Sequence, residues 1–174
     1  NKKARALHTT GVLPQASYGV EGIGYAPWII RSLRTMAADS MGCSKQGRCP
    51  ITAIALAKGL EWDPYVRGPI QVFKHWAAIS PKIEPKALEE AWSQMENHVL
   101  QPGGHAWARV KGPMAATFMH LREMGWKAHF GEQGHDGFMD TEGTLWKFNH
   151  EISWQDFEEQ IQEIRENHLW KKAS

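Results

Sequence analysis

The stretch Pro85-Lys86-Ala87-Leu88-Glu89-Glu90-Ala91-Trp92-Ser93-Gln94-Met95-Glu96-Asn97-His98-Val99-Leu100 decides the fold class. Leu88, Ala91, Trp92, Met95 and Val99 recur at the spacing of one helix face, while the charged residues fall between them. Pro85 stands in the first turn, where the backbone N–H that proline lacks would have no helical partner. The same punctuation recurs at Ala26-Pro27, Cys49-Pro50, Gly68-Pro69 and Gly112-Pro113, each followed by an apolar stripe at helical spacing.

Working outward, a helix is expected from Pro27 to Met41, with Ile29, Leu33, Met36 and Ala37 as its apolar stripe. A short one runs from Pro50 to Lys58 and stops at Gly59. A third opens at Pro69 with Ile70, Phe73, Trp76 and Ala77 on one face, and Ser80-Pro81 ends it. After Gln101-Pro102-Gly103-Gly104, which reads as a boundary, a fifth helix spans Pro113 to Met124 and closes at Gly125. Lys127–Phe130, Gly137–Asp140 and Thr144–Phe148 read as strands, the last two joined around Thr141-Glu142-Gly143. Ser153 and Asp156 resemble a capping box for a last helix whose Phe157, Ile161, Ile164 and His168 share a face. Residues 1–24 read as a strand or extended arm followed by a Gly-rich loop.

The expected fold is mainly α with a small antiparallel β-hairpin (α+β). It consists of a helical body with an N-terminal arm over residues 1–100 and a helix–hairpin–helix extension over residues 101–174. With 174 residues, 42% hydrophobic and 22% charged, the chain can bury a real core. Nothing approaches a membrane span, and nothing suggests secretion, so an intracellular protein, nuclear or cytoplasmic, is expected. Both ends read as cut from something longer.

Twenty basic side chains against nineteen acidic ones argue against a strongly electrostatic nucleic-acid binder but leave room for a local patch. Arg31 and Arg34 share a helix face, Lys45 and Arg48 follow in the adjacent loop, and Lys2, Lys3 and Arg5 cluster near the start. Such residues suit point contacts to a phosphate backbone or, equally, a plain solvated face. The nine tryptophans are spread evenly, as core residues would be, with base-stacking platforms as the sharper alternative.

Signals for chemistry are weak. Gly19 to Gly24 has the wrong order for a dinucleotide loop. Cys43 and Cys49 match no zinc spacing, and a thiol nucleophile pairing Cys49 with a distant histidine has no local signature. His129, His135 and His150 flank the hairpin with Asp136 and Asp140 nearby, but the spacing favours solvated loop histidines over a metal site. Glu89-Glu90 and Glu158-Glu159 read as solvated faces, and no Asp-Asp pair on an apolar strand offers sites for catalytic magnesium. No independent catalysis and no cofactor are expected.

Gly11-Val12-Leu13-Pro14, then Tyr18-Gly19 and a helix bearing Leu33-Arg34, resembles the segment after the palm in LINE-type (non-LTR) retrotransposon reverse transcriptases. Asp63-Pro64, Gly68-Pro69-Ile70-Gln71-Val72, Gly112-Pro113, Leu121, Gly125-Trp126 and the Gly143–Trp146 hairpin resemble the downstream part of such polyproteins. The resemblance implies a thumb-and-connector fragment that grips template and primer, with polymerase activity in an upstream palm. It implies an RNA–DNA or RNA template duplex, and other domains of the same polyprotein, as partners. Two other classes stay open. One is a protein-interaction domain anchored by exposed tryptophans. The other is a winged-helix-like module reading DNA with His120 and Arg122 on the Pro113 helix.

Overall fold

Five helices do begin on a proline, but one begins at a different proline from the one expected. The computed structural model describes residues 24–42, 46–132, 134–148 and 154–173. Among them are α1 (Pro27–Ser40), α2 (Pro50–Ala57), α3 (Pro64–Ile79), α4 (Pro85–Val99), α5 (Pro113–Met124) and α6 (Trp154–Ala173). Between α5 and α6 lie β1 (Lys127–Gly131), β2 (Gly134–Met139) and β3 (Leu145–Lys147). The protein is mainly α with a small antiparallel β part. The arm read over residues 1–23, and Lys2, Lys3, Arg5, Cys43, Lys45, His150 and Ser153, lie outside the described residues.

α3 corrects the expectation for Pro69. It starts one turn earlier, at Pro64, and carries Pro69 inside. The reason is Asp63, whose carboxylate accepts the Tyr65 N–H at 2.8 Å and caps the helix at that point. Gly68, just before the internal proline, is there for a close approach. A Cβ at that position would lie 2.5 Å from Cγ of Tyr25, so the Tyr25 ring sits directly on the helix backbone.

Two smaller apolar clusters seat α2, and two large ones join α1, α3, α4, α5 and α6. Tyr25, Ile30, Leu33, Val72, Val99, Trp107 and Met119 form one. Ile70, Phe73, Trp76, Leu88, Trp92, Leu121, Phe138, Phe157 and Ile161 belong to the other. α3 feeds both, and each draws on residues either side of Leu100, so packing is continuous across Gln101–Gly104. Trp76 and Phe73 are almost wholly buried, each such side chain contributing about 1.5–3 kcal/mol by its removal from water.

The sheet runs in the order β1-β2-β3, antiparallel throughout, so a further strand joins the expected hairpin. β2 pairs Phe138 with Ala128 on one side and with Trp146 on the other. A Cβ at Gly137 would meet the Trp146 carbonyl oxygen and the Lys147 Cα, so β3 can pair closely only because that residue is glycine. Asp140 builds the turn into β3. Its Oδ1 accepts the Glu142 and Thr144 N–H groups at 2.9 Å, its Oδ2 accepts the Trp146 indole N–H at 3.1 Å, and Gly143 supplies φ +83°.

His129 and His135 are not solvated loop residues. They stand on β1 and β2, and His135 is 6% exposed among the rings of Trp76, Trp92, Phe130 and Phe148. The face of α6 is also displaced from the expected one. Phe157, Ile161, Arg165 and Leu169 form its buried i, i+4 stripe, while His168 is exposed. Among the described residues no helix is long and apolar enough to cross a membrane.

Candidate nucleic-acid interface

α1 buries Ile30 and Leu33, and this turns Arg31 and Arg34 towards the start of α2 and the end of α6. There they line a cleft of about 560 Å³ together with Cys49, Tyr65, Glu123, His168 and Lys172. Two of the sequence-predicted contacts, Arg31 and Arg34, thus share one concave surface. Arg48 does not line it, being ion-paired with Asp39 at 2.7 Å. Lys2, Lys3, Arg5 and Lys45 lie outside the described residues.

The two arginines have different roles. Arg34 grips Asp63 with two short contacts, Nε to Oδ2 and Nη2 to Oδ1, both at 2.8 Å. Asp63 is fully buried and also caps α3, so Arg34 is a fixed wall with its charge largely answered. Arg31 is exposed and has no ion-pair partner among the described residues. Lys172, one turn beyond His168 on α6, is in the same condition. These two cations give the cleft its available positive charge.

Tyr65 forms the aromatic part of the cleft. His168 stacks on its ring at 5.6 Å and 28°, and the Arg34 and Arg165 guanidinium carbons lie 5.8 and 4.4 Å from its centroid. Partial burial, then the positive charges of Lys172, Arg165 and Lys171, push the His168 pKa below its ordinary value. These charges disfavour the imidazolium, and an anion bound in the cleft would favour it.

Behind the cleft lies a buried polar network that the sequence did not announce. Tyr25 N–H donates to His120 Nε2 at 3.0 Å, which leaves the proton on Nδ1, 3.4 Å from Glu123 Oε2. Trp107 Nε1 and Arg165 Nη1 also donate to Glu123, at 3.2 and 3.0 Å. Burial works against the Glu123 charge, but the hydrogen bonds from His120 and Arg165 and the Arg165 charge outweigh it and hold the carboxyl below its usual range. His120 is fully buried, and burial lowers its pKa. It cannot reach a DNA base, so the winged-helix reading loses one of its two reader side chains.

Cys49 stands at the N-cap position of α2 and is exposed. Hydrogen bonds from Thr52, joined by the Ile51 N–H and the Arg34 charge, lower its thiol pKa despite some opposition from burial. Cys49 and His168 line the same cleft, but no hydrogen bond joins them among the described residues. The nucleophile–base contact that thiol catalysis needs is not formed.

Compared with known protein families, curated proteins and solved structures, the chain matches none. The contribution of α6 is what sequence reasoning missed. His168 and Lys172 at i, i+4 and the Lys171-Lys172 pair were visible, but nothing local says that they return to α1.

Proposed function

We propose that this chain is a non-catalytic, nucleic-acid-contacting thumb or connector segment of a retroelement reverse transcriptase polyprotein. It grips the phosphate backbone of an RNA–DNA or RNA template duplex in the cleft between α1 and α6. The observation that carries this reading is the convergence of Arg31 and Arg34 with His168 and Lys172 around one concave surface. Two unpaired cations and a histidine that gains charge beside an anion suit phosphate contacts, which position a duplex without reading its sequence. Catalysis lies in an upstream palm, and other domains of the same intracellular polyprotein complete the grip.

A labelled RNA–DNA hybrid titrated across a salt series tests this. Affinity falls steeply with salt, and Arg31→Ala and Lys172→Ala each lower the log–log salt slope by about one. Arg34 is the wrong residue to remove, because its loss would leave Asp63 buried and unpaired. No binding at low salt, or binding indifferent to both substitutions, would sink the proposal. In that event the exposed Trp28 and Trp170, 49% and 59% accessible, favour a protein-interaction surface.

A further inference from the structure

A second concavity, of about 570 Å³, lies away from the basic cleft between α4, the end of α5 and β1. Trp92, Phe118, Trp126 and Phe130 line it; the two phenyl rings are half-buried and present apolar surface, whereas Trp92 and Trp126 are only 4% and 3% exposed. Its charged residues divide by wall. Glu89 and Glu96 come from α4, whereas Arg122 and Lys127 come from the α5–β1 junction. Glu89, Arg122 and Lys127 are exposed, Glu96 is half-buried, and none of the four has an ion-pair partner among the described residues. The two indoles differ as well. Trp92 Nε1 donates to Glu96 at 2.7 Å, whereas Trp126 Nε1 is buried with no hydrogen-bond acceptor among the described residues.

We infer that this groove binds a single unstacked nucleotide, its base among the rings, its phosphate on Arg122 and Lys127, and its amino edge towards Glu89. The volume is that of a small-ligand site. A flat base suits aromatic walls, and stacking on them is tolerant of base identity. The charge division adds a preference. Adenine, cytosine and guanine carry an exocyclic amine that can donate to a carboxylate, and uracil and thymine do not. A purely anionic ligand would meet Glu89 unfavourably, and a purely cationic one would meet Arg122 and Lys127. A nucleotide, with a donor at one end and an anion at the other, answers both walls. The site does not depend on the basic cleft or on the function proposed for it.

The test is a titration of the full chain with CMP and UMP, following the indole N–H resonances of Trp126 and Trp92 by NMR. CMP shifts Trp126 saturably and binds at least about threefold more tightly than UMP; Glu89→Ala removes that difference. Arg122→Ala with Lys127→Ala weakens both ligands by roughly fivefold or more. Arg31→Ala, in the other cleft, changes nothing here, so failure of either site is recognised separately. These are surface residues, so the fold tolerates the substitutions. No indole shift at about 10 mM CMP, a weaker affinity than even millimolar binding requires, overturns the proposal. A shift that survives the double substitution unchanged also overturns it.

Discussion

Arg165 Nη1 donates to Glu123 Oε2 at 3.0 Å from a side chain that is only 1% exposed. The Nε and Nη2 groups of the same guanidinium have no hydrogen-bond acceptor among the described residues. The cation is therefore held by one carboxylate and by the face of Tyr65, 4.4 Å away. Buried pairs of this kind are costly to break from one side and cheap to replace as a whole. Glu123→Ala should lose about 3 kcal/mol in urea denaturation, because the Arg165 charge stays behind. Replacing both residues, as Glu123→Gln with Arg165→Met, should cost clearly less than Glu123→Ala alone. Equal losses for the two would contradict a buried, singly compensated cation.

Acid should act on the folded chain before the carboxylates titrate. His120 and His135 are both buried, and burial lowers both pKa values below the ordinary one. Between the lowered folded values and the unfolded value near ~6.5, the unfolded chain binds more protons, so stability falls as pH drops below about 6.5. Glu123 and Asp140 add to this at lower pH. Burial opposes each charge, but hydrogen bonds outweigh it and depress both carboxyls, so their contribution is full above the unfolded carboxylate pKa and is lost through the folded one. His135→Phe should reduce the slope of stability against pH just below the unfolded histidine value of about 6.5, whatever it does to stability itself. An unchanged slope would show that His135 is not buried neutral.

Gly68 and Tyr25 are joined by the closeness of ring to backbone, and this can be measured as a coupling. Gly68→Ala should destabilise by about 2 kcal/mol through overpacking, although alanine is the better helix former. In a Tyr25→Ala background the same change should cost little or even stabilise, since the obstructing ring is gone. Additive effects would mean that the ring does not rest on Gly68.

The Cys49 thiol should react with iodoacetamide at lower pH than an ordinary cysteine. Thr52→Val removes a side-chain hydrogen bond that favours the thiolate and should shift the alkylation profile upwards. Peptide mapping separates Cys49 from Cys43. Because Cys49 lines the basic cleft, an RNA–DNA hybrid held there should also protect it, whereas CMP in the aromatic groove should not. Alkylation that is indifferent to the hybrid at binding concentrations would place the contact elsewhere.

Helix positions were largely legible because proline and apolar spacing are local signals. Pro27, Pro50, Pro85 and Pro113 each open a helix as the sequence implies, and the Asp140–Thr144 turn follows from glycine chemistry. Pro69 misled because Gly-Pro resembles a start, while the stronger start was Asp63 followed by Pro64. The α6 face differs for a related reason. A charged residue is not expected in a buried stripe, so the expected face carries Ile164 and His168 where the buried one carries Arg165 and Leu169. Lys74 and Glu158, paired on the surface between α3 and α6, gave no hint of the helices they join. Neither the cleft nor the groove was legible at all, since each needs side chains from segments far apart in the chain.

Pro69 leaves one further mark on the molecule. It has no N–H to offer the carbonyl of Tyr65 four residues earlier, so α3 lacks a rung between its first turn and the rest of its length. On one side of that missing rung stands Tyr65, the ring shared by the cleft's cations. On the other stand Val72, Phe73 and Trp76, which fill the interior. Tyr65 nonetheless packs against the cluster that holds Tyr25 and Val72, so a ligand that tilts its ring pulls at once on the Asp63 anchor and on the interior, across the point where the helix is weakest.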